Sequence, residues 1–195
     1  MTNTVYIFIG QSGSGKGTQV QLLEQTIRAL HPSDTIFHLE TGEKFRELIE
    51  GESFTSRKTK QYIDDGVLPP AFLGVHAWSH VLIEGYTGEG HVFLDGTPRV
   101  SAEVPALLSA ISFYDWHPHI FYIDVGDAWA RDKLLARGRA DDTEAEITGR
   151  IAWFYQSVMP AVDMLKSSPL VQFHHINGEQ SVEAVQQEIL SHLSI

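Results

Sequence analysis

Val5–Ile9 (VYIFI) runs without a break into Gly10–Thr18 (GQSGSGKGT), and the apolar positions Val20, Leu22, Leu23, Ile27 and Leu30 follow at helical spacing. A buried strand, a glycine-rich turn and a helix in that order form the context in which such a loop binds phosphate. Glycine lets the backbone curl with its N–H groups turned inward, making a cradle for phosphate oxygens. The helix that follows adds the positive end of its dipole. Lys16 brings a mobile point charge to the β- and γ-phosphates of a nucleoside triphosphate. Gly10, Ser12, Gly13, Ser14, Gly15, Lys16, Gly17, Thr18 and Gln19 are therefore candidate triphosphate ligands. The strict pattern has Ser or Thr directly after the lysine. Here Gly17 intervenes, so Thr18, the candidate Mg²⁺ ligand, also reads simply as an early helix residue.

Outward from this loop, strand-like and helix-like stretches alternate. TIFHLE (35–40), HVFLD (91–95), IFYIDV (120–125) and LVQFHHI (170–176) read as strands. Helical patterns cover Thr41 to about Glu50, Thr55 to Ile63, a stretch opened by Pro69-Pro70, and Ser181 to Leu193. The alternation predicts an α/β fold: a P-loop NTPase three-layer arrangement with a parallel sheet flanked by helices. No repeat or low-complexity linker interrupts the 195 residues, which read as one domain over 1–195.

Composition narrows the functional classes. A formal charge of −11 opposes broad binding to nucleic acid or to anionic membrane, both of which are polyanions. Zero cysteines exclude disulfides and thiolate metal ligands. No apolar run reaches membrane-span length, and the N-terminus lacks a secretory pattern, so a cytoplasmic protein is expected.

In so acidic a chain, clustered arginines are informative. LDGTPR (94–99) falls where a parallel strand ends, the edge at which open α/β sheets bind ligands. Asp95 is placed to hold Mg²⁺ through water, and Arg99 to clamp an anionic substrate; the plainer reading is a tight turn with a solvated arginine. RGRADD (137–142) and Arg150 offer more cations for a transferring phosphoryl group, whose charge spreads over several oxygens. The alternative is a short basic turn with Asp141 or Asp142 capping the next helix. His117, His119, His174 and His175 lack metal-site spacing, and Trp78, Trp129 and Trp153 read as packing residues.

Taken in order, GQSGSGKGTQ, TGEKFR, DGVLPP, FLDGTPR, RGRADD and HING…SVEAV resemble the adenylate kinase family of nucleoside monophosphate kinases, over nearly the full length. Gly17-Thr18-Gln19 is that family's usual continuation after the lysine. The resemblance implies Mg·ATP as donor, a nucleoside monophosphate as acceptor and a monomeric enzyme. It implies a monophosphate-binding insertion at about 41–70 and a short lid at about 137–142, with no room for a zinc-binding lid. Thr41, Gly42, Arg46, Val67, Leu68, Gly96, Arg99, Arg139 and Arg150 fall at acceptor positions. Lys16, Arg99, Arg137, Arg139 and Arg150 fall at catalytic ones, and Asn177 and Gly178 beside the ATP base. Lys133 stands where the family has an arginine packing on that base. Glu103 replaces the glutamine that reads the acceptor adenine. The resemblance implies AMP as the acceptor. An ionised Glu103 suits GMP or CMP better, because a carboxylate only accepts hydrogen bonds. Three other readings stay open: Glu103 on a solvated helix face, a P-loop kinase whose acceptor is a small hydroxyl metabolite and which would need a base for the hydroxyl proton, and a nucleotide-binding regulatory protein without catalysis.

Overall fold

The computed structural model describes residues 4–64, 69–139 and 142–193. Five strands form one sheet: β1 (Thr4–Ile9), β2 (Ile36–Glu40), β3 (His91–Asp95), β4 (His117–Asp124) and β5 (Gln172–Asn177). Their order is β2-β3-β1-β4-β5, and every neighbouring pair is parallel. β1 is therefore central: the chain leaves it for β2 and β3 on one side and then crosses from β3 to β4 and β5 on the other, so its carboxyl end lies at the switch point of the sheet.

Side chains alternate across β1 and set up the two halves of the core. Val5, Ile7 and Ile9 face one side, where they pack with Trp78 and Leu82 of α4 (Ala71–Gly85), Leu107 and Ile111 of α5 (Val104–Phe113), and Val162 and Leu165 of α8 (Met159–Lys166). Tyr6 and Phe8 face the other, against Val20, Leu23 and Ile27 of α1 (Lys16–Leu30) and Val185 and Ile189 of α9 (Val182–Ser191). Fully burying each such side chain contributes roughly 1.5–3 kcal/mol. This two-sided burial explains why VYIFI is apolar throughout rather than alternating.

The remaining helices are α2 (Thr41–Glu50), α3 (Phe54–Asp64), α6 (Asp127–Arg137) and α7 (Glu144–Trp153); a π-helical turn at Phe154–Val158 joins α7 to α8. Proline opens α4, with Pro70 at its cap. β4 starts three residues before the expected IFYIDV stretch, at His117. The polar start of this strand is sheltered by neighbours: the His119 ring stacks on Tyr6, Phe121 and His174. β5 starts at Gln172 rather than Leu170. Among the described residues no helix is long and apolar enough to cross a membrane.

Candidate active site

The phosphate loop is shaped by two glycines in left-handed conformations, Gly13 (φ 87°) and Gly15 (φ 89°), the latter capping α1. Gly13 also lies against α6. A Cβ there would sit 2.5 Å from the Ala130 carbonyl oxygen and 3.1 Å from Leu134, so only glycine fits. Gln11 is buried, and its amide donates to the Val125 carbonyl at 2.6 Å, fastening the loop to the end of β4. Nothing in the sequence had marked Gln11. The Lys16 ammonium donates to the carbonyls of Gly10 (2.6 Å) and Gln11 (2.9 Å). Burial, with smaller contributions from Arg99 and Arg137, lowers its pKa to about 8 against the opposing attraction of Asp95. A lysine held there is still predominantly a cation at neutral pH.

At the carboxyl ends of β2 and β3 a second cationic site takes form. A Cβ on Gly42 would lie 3.0 Å from Arg99 Nη2, 3.4 Å from Arg46 Nη1 and 3.6 Å from Glu40 Oε1. Two guanidinium groups thus converge over one glycine at the start of α2. Arg99 is aimed by its Nε donating to the Gly96 carbonyl at 3.1 Å. Arg46 is held by Glu40 at 3.0 Å, a counter-charge the sequence reading had not picked out. Thr41 is fully buried, and its hydroxyl has no partner among the described residues.

The third group surrounds Asp142. Its carboxylate accepts from Arg137 Nε (2.9 Å) and Nη2 (2.6 Å), from Arg150 Nη1 (3.0 Å) and from the Arg139 backbone N–H (3.1 Å). The Arg137 hydrogen bonds hold its pKa well below the usual carboxylate range. Asp142 therefore does not cap the next helix. That role belongs to Thr143, whose hydroxyl accepts from the Glu146 N–H. The reason is local: Arg137, Arg139 and Arg150 surround the carboxylate with donors that a helix N-terminus cannot match. Asp141 lies outside the described residues.

These groups line one cavity of about 720 Å³. Of the residues expected at the site, Ser12 through Gln19, Gly42, Arg46, Asp95, Gly96, Arg99, Lys133, Arg137, Arg139, Arg150 and Gly178 all face it. Gly10, Thr41, Glu103 and Asn177 do not, and Val67 and Leu68 lie outside the described residues. Glu103 is 3% exposed, which overturns its reading as a residue of a solvated helix face. It receives the Thr97 hydroxyl at 3.3 Å and packs so closely on Gly74 of α4 that a Cβ there would lie 2.8 Å from its Oε1. Burial pushes its pKa up, against the lowering effects of Arg99, Thr97 and Trp78. Trp129 also departs from expectation. It is half-buried, lines the cavity, and carries the Lys133 ammonium 4.7 Å from its ring centroid. Trp78, by contrast, is a core residue as expected.

Thr18 and Asp95 both face the cavity, and oxygen donors of this kind suit a hard cation such as Mg²⁺. Burial raises the Asp95 pKa, while Lys16 and Arg99 pull it back toward ionisation. Among the described residues, no group of three or more His, Cys, Asp or Glu is placed to hold a metal. A divalent cation bound here would be held by these two side chains together with phosphate oxygens and water.

Comparison with known proteins agrees with this geometry. A family model described as an AAA domain matches residues 9–148. Adenylate kinase 1 of Nostoc sp. (strain PCC 7120) is 30% identical over 187 residues, covering 95% of this chain and 96% of its own. The adenylate kinase of Prochlorococcus marinus (strain AS9601) is 29% identical over 184 residues, 94% of each chain. That of Corynebacterium aurimucosum is 28% identical over 186 residues, 95% and 96% of the two chains. With likeness over 94–95% of its length and 30% identity to one of these relatives, the chain belongs to the adenylate kinase family.

Proposed function

We propose that the protein is a nucleoside monophosphate kinase that transfers the γ-phosphoryl group of ATP to AMP, giving two ADP. The observation that carries this reading is the pairing of two separate cationic sites in one cavity. Lys16 and the loop form one; Arg99 and Arg46 converging over Gly42 form the other. A nucleotide hydrolase needs only the first. An acceptor with its own phosphate needs the second.

The step follows from this arrangement. An oxygen of the acceptor phosphate forms a bond to the γ-phosphorus as the bond to the β-bridging oxygen breaks, and the electron pair leaves with ADP. The acceptor oxygen is already anionic at neutral pH, so no general base is required. Lys16 and the loop N–H groups hold the donor phosphates, while Arg99 and Arg46 orient the acceptor. Arg137, Arg139 and Arg150 meet the charge spread over the moving group. When bound, Mg²⁺ held near Thr18 and Asp95 would neutralise charge on the donor phosphates. By the family resemblance the enzyme is proposed to work as a monomer.

Three relatives carrying the name adenylate kinase support AMP as the acceptor. Glu103 stands where the resemblance places a base-reading glutamine. Burial raises its pKa against the pull of Arg99, and in its protonated form it would donate through O–H and accept through C=O as an amide does, the pair that adenine N1 and N6 require. The test is ADP or NDP formation from Mg·ATP with AMP, GMP, CMP, UMP and dTMP in turn, for the wild type and Glu103→Gln. AMP preferred by both proteins is the expected result. A clear wild-type preference for GMP or CMP that Glu103→Gln switches to AMP would mean the carboxylate is ionised and reads a different base.

A further inference from the structure

Two histidines of α4 belong neither to the cavity nor to the core. His76 and His80 are four residues apart, so one helical turn sets them on the same face, and both are exposed. The inner face of that helix is taken up by Leu73, Gly74, Ala77, Trp78 and Leu82, which are buried. Other histidines are engaged: His38 with Glu24, His91 with Tyr6 and Asp34, His119 with His174, and His175 with Asp124. Among the described residues His76 and His80 make no hydrogen bond or ion pair. Each has only the other ring, stacked at 5.5 Å between centroids and 17° between planes.

We infer that His76 and His80 form a chelating pair for a divalent transition ion of the zinc, nickel or copper type, separate from the oxygen site proposed for Mg²⁺. Two imidazoles bound to one ion at about 2.0–2.1 Å, at a tetrahedral angle, have their ring centres about 5.2 Å apart. The observed 5.5 Å therefore asks for no change in the helix, only a small rotation of two exposed side chains. Spacing of i, i+4 on a helix is the one at which two histidines share an ion. Glu84, one further turn along and also exposed, adds negative charge beside them. Among the described residues no third His, Cys, Asp or Glu is placed to join the pair, so water completes the coordination. The site is thus open and exchangeable rather than a closed structural one. Imidazole nitrogens discriminate against Mg²⁺, which prefers oxygen, so the ion that serves the phosphates does not compete here. The spacing exists only in the folded helix, so the bound ion favours the folded chain and links two turns of α4.

Calorimetric titration of the wild type, His76→Ala and His80→Ala with NiCl₂, ZnCl₂ and MgCl₂ tests the inference, together with thermal melts of the three proteins with and without NiCl₂. The affinity for Ni²⁺ and Zn²⁺ should fall about tenfold or more in either variant, because the remaining imidazole binds without the intramolecular help of the other. Mg²⁺ titrations should be alike in all three proteins. With free NiCl₂ at about tenfold its Kd, the wild-type Tm should rise by about 3–6 °C, and that of neither variant should rise as far. Without metal both variants should melt within about 2 °C of the wild type, since each substitution lies on an exposed face. Ni²⁺ and Zn²⁺ affinities that both variants leave unchanged would overturn the inference. So would a loss confined to one variant, which marks a single histidine rather than a pair.

Discussion

Replacing Gly42 by alanine should strengthen the fold and weaken the enzyme at once. The added methyl would lie 3.0 Å from Arg99 Nη2 and 3.4 Å from Arg46 Nη1, with Glu40 Oε1 at an ordinary 3.6 Å. The guanidinium groups must therefore withdraw by a few tenths of an ångström, and the methyl takes part of the space an acceptor phosphate would fill. Losing one charge-assisted hydrogen bond costs about 1.5–3 kcal/mol, or roughly 10- to 150-fold in the acceptor's KM. Gly42 also sits in the first turn of α2, where alanine in place of glycine is worth about 0.5–1 kcal/mol. For a chain of this length that corresponds to a Tm rise of about 1–4 °C. The assays are steady-state kinetics with AMP varied at saturating ATP, and a thermal melt without ligand. An AMP KM within about twofold of wild type would refute the placement of the acceptor phosphate. A lower Tm would show that more than the two guanidinium groups must yield.

Lys16→Ala should reduce kcat/KM by about a hundredfold or more, and near wild-type turnover would remove Lys16 from the mechanism. Since burial lowers the Lys16 pKa to about 8, wild-type activity should decline as pH rises through that value; a flat profile to pH 9 would contradict it. Asp142→Asn should lower kcat about tenfold or more, because Arg137 loses its two-point hold and Arg150 its anchor; an unchanged kcat would make that carboxylate dispensable. His174 lies 3.0 Å from His119 and its ring 4.5 Å from that of His192, and burial followed by these two neighbours lowers its pKa from 6.5 to about 4. Between those values the unfolded chain binds more protons, so stability should be level above pH 6.5 and fall as pH drops toward 4. Urea unfolding midpoints across that range should show a shallower slope in His174→Gln, and an identical slope would refute the assignment.

The phosphate loop was legible because strand, glycines, lysine and helix are contiguous, and local geometry alone dictates such a cradle. The arginines were legible as a set, yet their geometry was not. Asp142 read as a cap because a carboxylate before a helix usually is one; its real partners, Arg137 and Arg150, are brought together by the path of α6 and α7. Gln11 carried no signal at all, since its acceptor is the carbonyl of Val125 on another strand's exit. Trp129 was misread as packing. Ala130 and Leu134 are the buried positions of α6, and Lys133 four residues after Trp129 marks the polar flank that the indole shares. Burial of Glu103 depended on Gly74 in α4, where the missing side chain makes room for the carboxylate.

The seat of Gly13 against Ala130 ties the phosphate loop to α6. Trp129 and Arg137 are eight residues apart on α6, a span of about 12 Å along its axis, and both line the cavity. A displacement of α6 would therefore carry the loop, the indole and the guanidinium together.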